Sequence, residues 1–127
     1  MSGPGAGLFI YAKDLERLAD FYQSLLGMDR AHEAPGLVVL RSSDLQITLN
    51  AIPAHIAALV EISSPPVRRD NAAYKFFFTV PSLERATATA VSLGGEVLPE
   101  QWHGPGFVVH NAVDPEGNIF QVRQRAA

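Results

Sequence analysis

Shifted by 68 positions, the sequence lies over itself. LERLADFYQSLLG (Leu15 to Gly27) falls on LERATATAVSLGG (Leu83 to Gly95), so that the Leu-Glu-Arg openings, the Ser-Leu pairs at Ser24/Leu25 and Ser92/Leu93, and the closing glycines coincide. An apolar strand pattern precedes each copy, LFIYA (Leu8 to Ala12) and FFFTV (Phe76 to Val80). Two amphipathic helices can look alike by chance, but matched punctuation at both ends argues for duplication of one supersecondary unit.

Each copy reads the same way. Asp14 and Ser82 suit helix N-caps, because their side-chain oxygens can accept from the orphan N–H groups of the first turn. Leu15, Leu18, Ala19, Tyr22, Leu25 and Leu26 fall along one stripe at helical spacing. Gly27 and Gly94-Gly95 are natural stops. Three strand patterns follow each helix: about Met28–Glu33, Leu37–Arg41 and Leu45–Asn50 in the first half, and Glu96–Gln101, Phe107–Val113 and Asn118–Gln124 in the second. The expectation is an α+β chain of 127 residues forming one domain. Its two βαβββ modules, about 7–51 and 75–125, are joined by a linker, 52–74, that contains SSPPVRRDNA. Within the linker, Ile52–Ile62 reads as a short helix and then a strand at Leu59–Ser63.

Composition excludes several classes. Hydrophobic residues make up 47% and charged ones 18%, too apolar for disorder. A net charge of −3 offers no basic surface for nucleic acid. No apolar run is long enough to span a bilayer, and MSGPGAG lacks a signal peptide's layout. With no cysteine, thiolate nucleophiles and thiolate metal sites are out, and a cytoplasmic location is the default.

The closing stretch DPEGNIFQVRQ (Asp114 to Gln124) begins as a tight turn and continues as a period-two strand, with Ile119, Gln121 and Arg123 on one face and Phe120 and Val122 on the other. This stretch and AKDLERLADFYQSLLGM resemble the signatures of the glyoxalase / bleomycin-resistance / extradiol-dioxygenase superfamily, the vicinal-oxygen-chelate fold. The resemblance spans essentially the whole chain. It implies a curved mixed-sheet cup with helices on the outer face, homodimeric assembly, and a divalent metal held by His, Gln or Glu. The positions matching the family's metal ligands are Gly7, Thr48, Lys75 and Gln121. Glycine has no donor, lysine is a cation, and only Gln121 offers even a weak ligand, so no metal or other cofactor is expected.

On that implied geometry, side-chain parity assigns the cup lining. Phe9 and Tyr11 come from the first strand, Gln46, Thr48 and Asn50 from LQITLN, Lys75, Phe77 and Thr79 from KFFFTV, and Phe107, Val109, Asn111, Gln121 and Arg123 from the last two strands. Leu8, Ile10, Phe76, Phe78 and Val80 should lie under the helices. The alternative is an ordinary solvated sheet face with a few spare aromatics. As a pocket, the mixture offers aromatic stacking, anion pairing at Lys75 and Arg123, and orienting amides. In PEQWHGPGF, Gly104-Pro105-Gly106 marks a connection with Trp102 and His103 at its edge. Trp102 is a lid or stacking candidate, and His103 a weak acid–base candidate against the commoner role of a surface histidine. His110 has core-face parity and reads as a hydrogen-bonded structural histidine. His32 and His55 stand alone. Arg68-Arg69 read as a solvated pair, whose nearness in sequence to Lys75 would make a local positive mouth.

Three functions compete. The first is binding, without a catalytic metal, of a small aromatic molecule that is neutral or anionic, since Lys75 and Arg123 would repel a cationic drug. The second is a divalent-metal-dependent lyase, isomerase or dioxygenase with ligands relocated to residues such as His103, Glu61 or Glu100. The third is metal-free catalysis by His103 or Lys75, the latter needing burial among Phe76–Phe78. The residues leave open whether the chain is an enzyme, and binding of a small molecule leads.

Overall fold

The computed structural model describes residues 3–126. The chain divides at Glu61/Ile62 into two compact units. The first runs β1 (Gly7–Ala12), α1 (Leu15–Leu26), β2 (Asp29–Ala34), β3 (Leu37–Arg41), β4 (Gln46–Ala51) and a single turn of helix, α2 (Ala54–Ala57). The second runs β5 (Phe77–Thr79), α3 (Leu83–Ser92), β6 (Glu96–Gly104), β7 (Phe107–Val113) and β8 (Ile119–Arg125). The strand orders are β1-β4-β3-β2 and β5-β8-β7-β6, the same topology twice. In both sheets the outer pair is parallel (β1 with β4, β5 with β8) and the rest antiparallel. The α+β class and the two βαβββ modules expected from the repeat are present.

The cap residues do what their chemistry suggests. Asp14 Oδ1 accepts from the Arg17 N–H at 3.2 Å, and Ser82 Oγ from the Arg85 N–H at 3.2 Å. Gly27 closes α1 in the left-handed region at φ 62°, where a Cβ would be strained. α1 buries Leu18, Ala19, Phe21, Tyr22 and Leu25 against β3 and β4, meeting Val38, Leu40, Ile47 and Leu49 of the sheet. Leu15 and Leu26, placed on the stripe from spacing, are only half-buried, and Phe21 takes the central position instead. α3 buries only Ala86 and Ala90 and packs chiefly on β6 and β8. Beneath it Phe78 and Phe120 meet edge-on, with ring centroids 5.7 Å apart.

At the start of β2, Arg30 gathers three carboxylates: Asp20 at 2.8 Å, Glu16 at 3.1 Å and Glu33 at 2.5 Å. Its Nε donates to Gln23 Oε1 at 2.8 Å. The hydrogen bond to Glu16, ahead of the other acidic contacts, raises its pKa further above the ordinary guanidinium range.

Three local expectations fail. No strand forms at Leu59–Ser63. There the Leu59 and Val60 N–H groups fold back on the Ile56 and Ala57 carbonyls, and Lys13 Nζ donates to the Val60 carbonyl, which spends the groups a ladder would need. Pro65 and Pro66 then remove two more donors. Phe76, assigned to the core, lies before β5 and is 42% exposed, since the edge strand has a neighbour on one side only and α3 covers other strands. Trp102 and His103 are not in a loop: β6 continues through Gly104, and the turn is Pro105-Gly106 alone.

Candidate functional site

The DPEGN turn sets the register of β8. Asp114 is fully buried, and its Oδ1 accepts from the Glu116 and Asn118 backbone N–H groups at 2.8 and 3.0 Å, while Oδ2 accepts from Asn118 Nδ2 at 2.8 Å. The carboxylate thus replaces the ladder partners that the turn gives up. Gly117, at φ +88°, is where the linker lands: a Cβ here would run into the Val67 carbonyl. Arg69 N–H donates to the Gly117 carbonyl at 2.9 Å, and Arg69 Nε to the Glu116 carbonyl at 3.1 Å. Arg68 reaches Glu96 at 3.5 Å. The turn therefore fixes both the β8 side chains and the path of the chain leading to Lys75.

Period-two alternation then divides β8. Phe120 and Val122 go to the core, and Ile119, Gln121 and Arg123 to the face away from α3. On that open face Thr79, Arg123, Val109 and Trp102 stand side by side across β5, β8, β7 and β6, and the next row holds Phe77, Gln121 and Asn111. The Arg123 guanidinium carbon lies 3.7 Å from the Phe77 ring centroid and 3.8 Å from that of Phe107. Its Nε donates to Thr79 Oγ1 at 3.2 Å. Lys75 Nζ donates to Asn111 Oδ1 at 3.3 Å.

Beside these residues lies a cavity of about 320 Å³, lined by Arg68, Arg69, Asp70, Ala72, Tyr74, Lys75, Leu98, Glu100, Asn111 and Ile119. Lys75 and Asn111, which parity assigns to the cup lining, both line this cavity, and Arg68 and Arg69 share it with Lys75, but Asp70 and Glu100 stand in it as well, so it is not the positive mouth that sequence nearness suggests. Tyr74 and Leu98 are not among the residues expected from sequence, and Glu100 is expected only as a relocated metal ligand. Tyr74 belongs to irregular chain without a period to read, and β6 shifts register between Val97 and Gln101, which defeats parity at Leu98 and Glu100.

In the first unit the assigned residues lie on the corresponding open face. Phe9 pairs with Thr48 and Tyr11 with Asn50, and the two aromatic rings are 65% and 67% exposed. Thr48 is nearly buried; its hydroxyl accepts from Gln46 Nε2 at 3.1 Å, and Gln46 Oε1 accepts from Arg41 Nη2 at 2.9 Å. Arg41 of β3, which shares the face of Leu37 and Val39, joins these residues across the ladder to β4.

His103 is exposed, its Nε2 3.1 Å from Gln101 Nε2. His110 is half-buried, and its Nδ1 donates to the Leu98 carbonyl at 2.8 Å. Lys75 is exposed, so the burial that a lysine base would need is lacking.

The donors at the metal positions do not suit a divalent ion. Gly7 contributes no atom, the Thr48 hydroxyl is engaged by Gln46, Lys75 is a cation bonded to Asn111, and Gln121 is a neutral amide. No cluster of three or more His, Asp or Glu able to hold a metal occurs among the described residues.

Comparisons with known proteins agree with this architecture. A family model described as a glyoxalase-like domain matches residues 7–123. No curated protein sequence matches the chain. Among solved structures, it is similar to a glyoxalase/bleomycin resistance protein/dioxygenase family enzyme from Burkholderia phytofirmans PsJN, at 18% identity and TM-score 0.68, covering 94% of this chain and 97% of that one. A glyoxalase/bleomycin resistance protein from Albidiferax ferrireducens T118 is similar at 19% identity and TM-score 0.66, covering 95% and 98%. The fosfomycin resistance protein FosX from Listeria monocytogenes is similar at 16% identity and TM-score 0.67, covering 99% and 94%. The duplicated topology and a family match running from β1 into β8 lead to one conclusion: the chain belongs to the glyoxalase-like domain family, with the vicinal-oxygen-chelate fold.

Proposed function

We propose that this protein binds a small, flat molecule, neutral or anionic, at the second module's open sheet face, and that it does so without a catalytic metal. The observation that carries the reading is the cavity of about 320 Å³ in which Lys75 and Asn111 meet Tyr74 and the linker cations. Its size is that of a small-molecule pocket, and its lining is mostly polar: three cations, two acids and the Asn111 amide beside Ala72, Tyr74, Leu98 and Ile119. Phe77, Phe107 and Trp102 add stacking surface on the same sheet, and Gln121 an orienting amide. In the first module Phe9, Tyr11, Gln46, Thr48 and Asn50 supply a second aromatic and amide surface. The donor chemistry at Gly7, Thr48, Lys75 and Gln121 supports the metal-free part. Homodimeric assembly completes the reading, and light scattering checks it.

The test pairs two titrations of tag-free protein. Calorimetry with Mn²⁺, Ni²⁺, Zn²⁺ and Fe²⁺ should give no binding at micromolar concentration. A nuclear magnetic resonance screen of flat aromatic amides and carboxylates should move the Asn111 and Gln121 side-chain amides. Near-stoichiometric tight binding of one ion would overturn the metal-free reading. Screen hits that leave both amides unmoved would overturn the site.

A further inference from the structure

Among the described residues Arg123 is a cation without a counter-ion. On the open face of β5, β7 and β8 the register places Phe77, Thr79, Phe107, Val109, Asn111 and Gln121 around it, with Arg125 further along β8 over the same Phe107 ring, and none of these positions is Asp or Glu; Glu100 of β6 lines the neighbouring cavity. The guanidinium carbon lies over two rings, 3.7 and 3.8 Å from their centroids, and Nε donates to Thr79. None of the described residues forms an ion pair with it. The two rings shield the group from water, and together with the Thr79 bond they hold it in place. What remains is the edge carrying the two terminal nitrogens, whose parallel N–H donors match a carboxylate. A half-buried guanidinium has given up part of its hydration here, and among the described groups only neutral rings and a hydroxyl replace it.

We propose that Arg123 is an oxyanion anchor, and that the ligand of this face carries a planar carboxylate which the Arg123 Nη edge grips in bidentate fashion. The assignment rests on the binding reading above and narrows it: the ligand is an anion, not a neutral molecule. The Phe77 and Phe107 rings are positioning groups that hold the fork rigid, which cuts the entropy lost when the carboxylate docks. Asn111 and Gln121 lie one row away and are left to orient the body of the ligand.

Benzoate and its neutral isostere benzamide are the probes, titrated into full-length protein with labelled arginine side chains. Benzoate should shift the Arg123 Nε–Hε resonance and bind at least about tenfold more tightly than benzamide. Arg123→Gln should abolish that preference. Arg123→Lys, which keeps the charge but loses the fork, should keep only part of it, and this variant carries the test should the glutamine form fold poorly. Equal binding of the two probes by the unaltered protein, or a preference that survives in Arg123→Gln, overturns the anchor. In that case benzamide shifts at Asn111 and Gln121 would leave the binding reading standing, and their absence would remove both.

Discussion

Two arginines set the two modules apart. Arg30 is met by Glu16, Asp20 and Glu33, with Gln23 on its Nε, so the first module's ordered cation is saturated from within. Arg123 is held just as firmly, but by two phenyl rings and a hydroxyl, and has no acid beside it. The same division runs through the rest of each unit. On the first sheet Arg41, Gln46 and Thr48 satisfy one another in a chain, and α1 seats Phe21, Tyr22 and three smaller side chains. On the second, α3 seats two alanines, while Lys75 and Arg123 face outward bonded only to neutral partners. The two halves share one topology but differ in how their cations are met, by acids within the first module and by neutral groups alone for Lys75 and Arg123 in the second.

The strongest attempt to break that contrast is Phe21→Ala. Its ring is fully buried beneath α1, and its loss should cost about 3–5 kcal/mol in urea unfolding, whereas Ala86→Gly in α3 should cost only about 1. Comparable losses would mean that α3 packs more tightly than its small residues suggest. Gly117→Ala comes next, at about 1–3 kcal/mol, because it adds positive-φ strain to a clash with the Val67 carbonyl. Hydrogen exchange at the Arg69 amide should accelerate with it if the linker lifts off the turn. The matched caps give a smaller, symmetric effect: Asp14→Ala and Ser82→Ala should each cost about 1 kcal/mol, and strong inequality would show that one module depends more on its helix. Smallest in stability are Lys75→Ala and Trp102→Ala, each within about 0.5 kcal/mol, yet both should weaken binding of an aromatic carboxylate probe measured by titration. A large stability loss with unchanged probe affinity would mean that these side chains are structural.

Legibility in the sequence followed the kind of order involved. The repeat, both N-caps and the alternation of β8 are local patterns with a physical period, and they survived folding. Phe76 and the span Leu59–Ser63 carry the right composition for core and strand, but strand formation needs a neighbour, and an edge position or a turn that consumes the backbone groups overrides composition. Tyr74, Leu98 and Glu100 entered the cavity through irregular chain and a register shift, where no period exists to be read. Arg123 was assigned by parity to a ligand-facing surface, and its parity holds. Its stacking between Phe77 and Phe107 depends on cross-strand neighbours 46 and 16 residues away in sequence, which spacing alone does not bring together.

The fastening of Arg69 to the Gly117 and Glu116 carbonyls has a consequence for how such a pocket can change over generations. One wall of the cavity is a strap of irregular chain pinned at 69 and re-entering the sheet at Phe77, so residues 70–74 can be exchanged, lengthened or shortened while the ladder bonds of β5–β8 stay as they are. Loops absorb such changes at little cost to the scaffold. The lining of the cavity can thus change at the strap alone, with the turn after Asp114 as its fixed point of attachment.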